Sequence, residues 1–133
     1  MVYLADTNFL IRCWRDAGQP ARLRHLARYL DSEIKLVWLV RAEFLRGAVM
    51  AGHDAIRIND FLSRHQTVWP NEETLLLYAQ VYATLSRTNQ LIGPHDLWIA
   101  ATALQSQLPL LTKNVNEFRR VQHLQVVDYT ASS

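Results

Sequence analysis

The chain has 133 residues, of which half are hydrophobic and a fifth are charged, and its formal net charge is +2 at pH 7. This length and balance fit one globular domain with a buried core, and they exclude an intrinsically disordered chain. No apolar run approaches the roughly 18 residues that a membrane-spanning helix needs, and the single cysteine, Cys13, excludes an internal disulfide.

The first predicted element is a short central β-strand that ends at an acidic residue. Val2 to Ala5 are all apolar, which is typical of a strand covered on both faces. Asp6 follows at the carboxyl end of this strand, where ligands bind in open α/β sheets. Asp6 could be the N-cap of the next helix or a site residue, and this stretch alone leaves both interpretations open.

Helices and strands then alternate along the chain. Hydrophobic spacing predicts helices over residues 9–15, 21–30, 41–51, 54–64, 71–88, from 93 onwards and, briefly, after 115, and strands over residues 34–40, 67–69, 108–112 and 124–127. We expect the tail from Asp128 to be loose. Alternation of this kind predicts a parallel sheet with helices on both faces.

Glu43 is predicted to lie in the first turn of the helix over residues 41–51. The helix dipole and an i,i+3 partner, Arg46, would explain this acid without any functional site.

The apolar residues of the helix over 71–88 cover more than one stripe of its surface. This width suggests that a second copy of the chain covers part of it, so we expect a homodimer.

Asp96 is harder to explain as a structural residue. With Gly93 as N-cap and Pro94 at the first helical position, Asp96 falls at the third, which the helix dipole favours. It also shares a face with Ile99 and Ala100, which are expected to pack on the sheet. A buried carboxylate needs a partner, and a cation is one candidate.

Four acids are predicted to lie at one edge of the sheet. Right-handed crossovers bring the carboxyl ends of parallel strands together, so Asp6, Glu43, Asp96 and Glu117 should converge. Close carboxylates repel one another unless a proton or a cation neutralises them. All-oxygen ligands favour Mg²⁺ or Mn²⁺ over zinc, and such a site can activate water for attack on a phosphodiester. His95, beside Asp96, could touch a substrate, although an isolated histidine is more often structural.

The charges outside this cluster agree with a polyanionic substrate. Without the four acids the chain has 14 basic and 8 acidic residues, a difference of +6. The basic residues are 12 arginines and 2 lysines. Arginine suits phosphate contacts, although genome composition could produce the same bias.

These motifs, taken together and in this order, resemble the PIN domain family. The matching segments are Asp6-Thr7-Asn8, Glu43, Gly93-Pro94-His95-Asp96 with Ile99-Ala100-Ala101, and Thr112 to Phe118. The short chain looks most like the family's VapC-type toxins, and the resemblance spans nearly all of residues 1–133, which we expect to form a single PIN domain.

The resemblance implies a PIN-like (Rossmann-like) three-layer α/β/α fold with a parallel sheet of about five strands. It implies a Mg²⁺- or Mn²⁺-dependent endoribonuclease that cuts structured RNA, such as tRNA or rRNA, and is silenced by a cognate antitoxin. A basic segment of that antitoxin could place an arginine among the carboxylates.

The resemblance also implies roles for individual residues. Asp6 and Asp96 match the metal ligands, and Glu43 matches an acid that completes the pocket or orients water. Glu117 stands where the family usually has aspartate, so Glu43 and Glu117 could both act through water. Three residues match supporting polar positions, namely Thr112, Asn114 and Asn8, the last as a hydrogen-bond partner of Asp6.

Other functions remain open at this point. An RNA-processing nuclease without a toxin role would carry the same residues, and Glu117 leaves room for a non-catalytic RNA-binding or regulatory domain. A phosphatase of the haloacid dehalogenase type is disfavoured because its second aspartate is replaced by Asn8. We expect no signal peptide and a cytoplasmic location, because no basic segment precedes an apolar stretch at the amino terminus.

Overall fold

A five-stranded, all-parallel sheet forms the centre of the protein in a computed structural model that describes residues 1–131. The strands are β1 (Val2–Ala5), β2 (Glu33–Val37), β3 (Thr67–Val68), β4 (Leu110–Thr112) and β5 (Val126–Asp128). Their order is β3-β2-β1-β4-β5, so β1 is central as predicted. Leu4 and Ala5 are fully buried, and Ala5 is in register with Leu36 of β2 and Leu111 of β4.

Within residues 1–131, eight α-helices connect and flank the strands, which gives the predicted three-layer architecture. They are α1 (Thr7–Arg15), α2 (Pro20–Leu23), α3 (Ala27–Leu30), α4 (Trp38–Met50), α5 (Ala55–Leu62), α6 (Glu72–Arg87), α7 (Pro94–Ser106) and α8 (Val115–Phe118). Helix α6 begins with a capping box in which Asn71 and Thr74 each accept a backbone hydrogen bond from the other. Helix α4 ends before Gly52, whose φ of +76° is the left-handed conformation predicted for a glycine after a helix.

The boundary between β2 and α4 differs from the prediction. The strand expected over residues 34–40 ends at Val37, and Trp38, Leu39 and Val40 already belong to the helix. A buried strand end and a buried helix start are both apolar, so hydrophobic spacing cannot separate them. Glu43 consequently lies in the second turn of α4 and not in its first.

The predicted continuous helix over residues 21–30 is also wrong. A 3₁₀ turn over Arg24–Leu26 separates α2 from α3. Leu26 and Tyr29 are the buried residues of this segment, whereas Ala27 and Leu30 are exposed. The two buried residues therefore lie on different elements, Leu26 at the end of the 3₁₀ turn and Tyr29 in α3.

The tail is ordered further than predicted. Asp128 is the last residue of β5, and Tyr129 is buried with its ring edge-on to Phe9 at 5.0 Å between centroids. The remainder of the expected loose tail, residues 132–133, lies outside the described residues. Over residues 1–131, none of the helices combines the length and apolar character required to span a bilayer.

Candidate active site

Asp6 is both a helix cap and the buried centre of a polar cluster at the carboxyl edge of the sheet. Its Oδ1 accepts a hydrogen bond from the Phe9 N–H at 2.9 Å, which caps α1. Its Oδ2 accepts a hydrogen bond from the Thr112 hydroxyl at 2.7 Å. The sequence left open whether Asp6 is a helix cap or a site residue. The two roles are compatible, because Oδ1 caps α1 while Oδ2 is bonded to Thr112 in the cluster.

Burial is the main influence on the Asp6 carboxyl and raises its pKa. The hydrogen bonds from Phe9 and Thr112 and the positive charge of Lys113 oppose this rise. Asp6 is thus a desolvated acid, and hydrogen bonds and a nearby positive charge stabilise its ionised form.

Thr112 and Asn114 connect Asp6 to two further acids. Thr112 is fully buried at the end of β4 and accepts a hydrogen bond from the Asn114 N–H at 2.9 Å. The Asn114 side-chain amide donates to Asp96 Oδ2 at 3.1 Å and to Glu117 Oε2 at 3.0 Å. Three carboxylates from three parts of the chain are therefore joined through these two polar side chains.

Asp96 has the most perturbed carboxyl in this cluster. It lies at the third position of α7, as predicted, and is half-buried. Desolvation is the main cause that raises its pKa to about 6, and the next causes are a hydrogen bond that the protonated carboxyl would donate to Glu117 and the negative charges of Glu117, Asp6 and Glu43. The partner that this carboxylate was expected to need is supplied in part by the Asn114 amide, but an excess of negative charge remains around it.

Glu43 is held from two sides by residues that do not include the expected partner Arg46. The Thr7 hydroxyl donates to Oε1 at 3.1 Å, and the His95 ring Nδ1 lies 3.1 Å from Oε2. Among residues 1–131, Glu43 forms no ion pair with Arg46. Glu43 therefore faces α1 and α7, which carry Thr7 and His95.

Two contributors to the cluster were missed or given little weight in the sequence. Thr7 belongs to the Asp6-Thr7-Asn8 motif but was given no role of its own. Its position directly after Asp6 is the one sequence signal that could have identified it as a partner of Glu43. His95 was considered only as a contact for substrate. Asn8 presents its backbone N–H to Asp6, while its side chain lines a neighbouring cavity with Arg12 and Lys113.

The oxygen-rich cluster fits a hard divalent cation such as Mg²⁺. Within residues 1–131 there is no ready-made cage of three or more histidine, cysteine, aspartate or glutamate side chains. Mg²⁺ does not require one, since it keeps several waters and binds through one or two carboxylates. The raised pKa of Asp96 marks a local excess of negative charge that a cation would offset.

Comparison with known proteins gives a consistent family. The PIN domain family model matches residues 3–124. The ribonuclease VapC1 of Haemophilus influenzae strain R2866 is 32% identical, over 98% of this chain and 99% of its own. The tRNA(fMet)-specific endonuclease VapC of Salmonella typhimurium strain LT2 is 23% identical, over 96% of this chain and 97% of its own.

A solved structure agrees with these relatives. The structure of VapBC-1 from nontypeable Haemophilus influenzae contains a chain that is 31% identical and superposes with a TM-score of 0.82, covering 98% of this chain and 100% of that one. The likeness therefore extends over the whole fold that positions the acidic cluster.

Proposed function

The chain belongs to the PIN domain family, and from this premise we propose that it is a Mg²⁺- or Mn²⁺-dependent endoribonuclease acting as the toxin of a toxin–antitoxin pair. The observation that carries the proposal is the hydrogen-bonded cluster at the carboxyl edge of the sheet, in which Thr112 donates to Asp6 and the Asn114 amide donates to both Asp96 and Glu117. An RNA substrate implies that the protein acts in the cytoplasm.

Asp6 and Asp96 would hold the metal directly, and Glu43 and Glu117 would act through water. When bound, the metal lowers the pKa of a coordinated water and offsets the charge that develops during in-line attack on a phosphodiester. The protein's own contribution is to fix the ligands in advance, through the Thr112 hydroxyl at Asp6 and the Asn114 amide at Asp96.

Glu43 is suited to orienting the attacking water. Both of its oxygens are restrained, one by Thr7 and the other by His95. A carboxylate fixed in this way accepts a hydrogen bond from water in a defined direction, which favours a productive geometry for attack. His95 is thus a positioning residue for Glu43 in this mechanism.

The substrate we propose is structured RNA of the tRNA or rRNA class. The chain outside the four acids has a +6 balance of charge, which attracts a polyanion to the surface around the site. A relative is named as specific for tRNA(fMet), which favours tRNA as the first substrate to test.

The experiment that tests this function is cleavage of a tRNA preparation by the purified protein with Mg²⁺. Asp6→Asn and Asp96→Asn should each lower the rate by about 10²-fold or more, because several kcal/mol of transition-state stabilisation depend on the metal. Asp60→Asn is a matched control, since Asp60 is an exposed acid on α5 that, within residues 1–131, forms only a loose ion pair with Arg64 at 3.7 Å. Cleavage that survives EDTA, or that Asp6→Asn leaves intact, would contradict the proposal.

The partner of this toxin is a cognate antitoxin, and the structure offers a surface for it. A groove of about 520 Å³ between α1, α4 and α5 is lined by Trp14, Phe44 and Ala48 and reaches Glu43. An antitoxin segment with apolar residues for the groove and an arginine for the carboxylates would block the site and neutralise its charge.

This arrangement makes the acids part of the antitoxin interface. The double variant Asp6→Ala, Glu43→Ala should bind the antitoxin at least about tenfold more weakly than the wild type, because the antitoxin's arginine would lose its charged partners. Isothermal titration calorimetry with the co-expressed partner measures this difference. Equal affinity would show that the antitoxin does not engage the carboxylates.

A further inference from the structure

A second, basic cavity lies beside the acidic cluster and is not used by the mechanism above. It has a volume of about 220 Å³ and opens at the carboxyl edge of the sheet. Its polar lining consists of Arg12, Arg15, Lys113, Asn8, Tyr129 and Thr130. Among residues 1–131, no acidic side chain lines it.

The fold explains why these residues meet. Arg12 and Arg15 are three apart on α1, so they share a face of the helix that Asp6 caps. Lys113 follows the last residue of β4, and Tyr129 follows the last residue of β5. Because β1, β4 and β5 are adjacent and parallel, the segments after them are neighbours at one edge.

The positive groups of this cavity are largely uncommitted. Arg12 uses its Nε to bind the buried carboxylate of Asp16 at 3.1 Å, which orients its guanidinium group. Arg15 and Lys113 are exposed and form no ion pair with any residue of 1–131. An oriented guanidinium beside two free cations is the composition expected of a site for a phosphate group.

The cavity is close enough to Asp6 to serve the same substrate. Lys113 directly follows Thr112, whose hydroxyl donates to Asp6 Oδ2 at 2.7 Å. Tyr129 packs edge-on against Phe9, whose N–H donates to Asp6 Oδ1. Two residues that line the basic cavity are therefore each one residue or one contact away from a partner of Asp6.

We propose that the basic cavity binds a backbone phosphate of the RNA next to the phosphate that is hydrolysed. This inference rests on the proposed function. A run of phosphates that enters a cluster of four acids meets repulsion, and a cationic cavity alongside offsets it and fixes the register of the strand. The proposed occupant is RNA and not an acidic segment of a partner protein, because the cavity adjoins the metal ligand Asp6 along the sheet edge.

The test is the salt dependence of RNA binding by the Arg15→Gln, Lys113→Gln double variant. Arg12 is left unchanged because its loss would expose the buried Asp16 carboxylate. The matched control is Arg24→Gln, Arg87→Gln, which removes the same charge from two exposed arginines that form no ion pair within residues 1–131 and lie outside this cavity. Circular dichroism confirms that both variants are folded.

Binding is measured by fluorescence anisotropy with a fluorescein-labelled RNA hairpin in EDTA over a range of NaCl concentrations. Loss of one phosphate contact should reduce the slope of log K against log [NaCl] by about 0.7 to 0.9 in magnitude. The control should keep the wild-type slope, and Arg15→Lys, Lys113→Arg should restore most of it. With Mg²⁺ and a cleavable RNA, the cavity variant should show a raised KM with little change in kcat.

Several outcomes would overturn the inference. One is a cavity variant with the same slope and KM as the control, and another is a wild-type protein that does not bind the hairpin. Loss of antitoxin affinity alone in the single variant Lys113→Gln would assign the cavity to an acidic partner segment instead; the single variant is used because Arg15 also lines the groove proposed for the antitoxin. A wild-type protein that binds RNA with the expected slopes but does not cut it would contradict the proposed nuclease and leave the phosphate site supported.

Discussion

At the scale of single residues, Thr112 shows how a buried hydroxyl can serve structure and site together. It donates to Asp6 and accepts from the Asn114 N–H, so it satisfies two groups that would otherwise be buried without partners. Asn114 extends the connection to Asp96 and Glu117. The positions of the acids are therefore linked through hydrogen bonds as well as through the backbone.

Replacing Thr112 with valine keeps its shape and removes these hydrogen bonds. We expect Thr112→Val to lower the free energy of unfolding by about 1–3 kcal/mol, because the Asp6 carboxylate and the Asn114 N–H lose a partner. Urea denaturation with an unchanged m value measures this loss. Thr112→Ser, which keeps the hydroxyl, should retain most of the stability, and a valine variant as stable as the wild type would contradict this account.

At the scale of elements, the parallel sheet and the convergence of the acids were predictable for one reason. Five apolar segments separated by helical patterns fix a parallel sheet, and a parallel sheet brings Asp6 and Thr112 to the same edge. This reasoning needs only the order of the elements and not their ends.

The ends of the helices and strands were less predictable than their order, and the position of Glu43 in α4 is an example. Burial makes both β2 and the start of α4 apolar, so the sequence contains no polar signal at Val37 and Trp38. The earlier start of α4 places Glu43 in the second turn, away from the helix terminus. Its contacts with Thr7 and His95 depend on how α1, α4 and α7 pack, which hydrophobic spacing does not encode.

The orientation and burial of side chains outside the four acids could not be predicted from the sequence either. Asn8 could be recognised from its motif, but the direction of its side chain depends on the path of α1. The ordered tail had no signal either, since the burial of Tyr129 depends on contact with Phe9 across the molecule. The metal-binding roles and the single-domain organisation of residues 1–133 stay predictions.

At the scale of the whole molecule, helix α6 divides its apolar residues between the core and the outer surface. Leu85 is buried, whereas Leu75, Leu76 and Tyr82 are 47%, 58% and 45% exposed. Tyr78 continues this surface to α7, where it stacks on Trp98 at 4.0 Å between ring centroids. Several exposed large apolar side chains on one helix are unusual for a surface in contact with water and favour a protein interface.

The homodimer expected from the width of this helix is a prediction about that surface. A second copy would cover Leu75, Leu76 and Tyr82, and burial of these side chains contributes roughly 25 cal/mol for each Å² of apolar surface removed from water. Multi-angle light scattering at micromolar concentration should give twice the chain mass of 15.4 kDa.

The double variant Leu75→Glu, Leu76→Glu should give the monomer mass, since a carboxylate in a dry interface is costly. Ile56→Glu is the matched control, because Ile56 is 78% exposed on α5, away from this surface, and should leave the dimer intact. A monomeric wild-type protein would contradict the prediction, and it would leave the acidic site unaffected, because every carboxylate of that site comes from one chain.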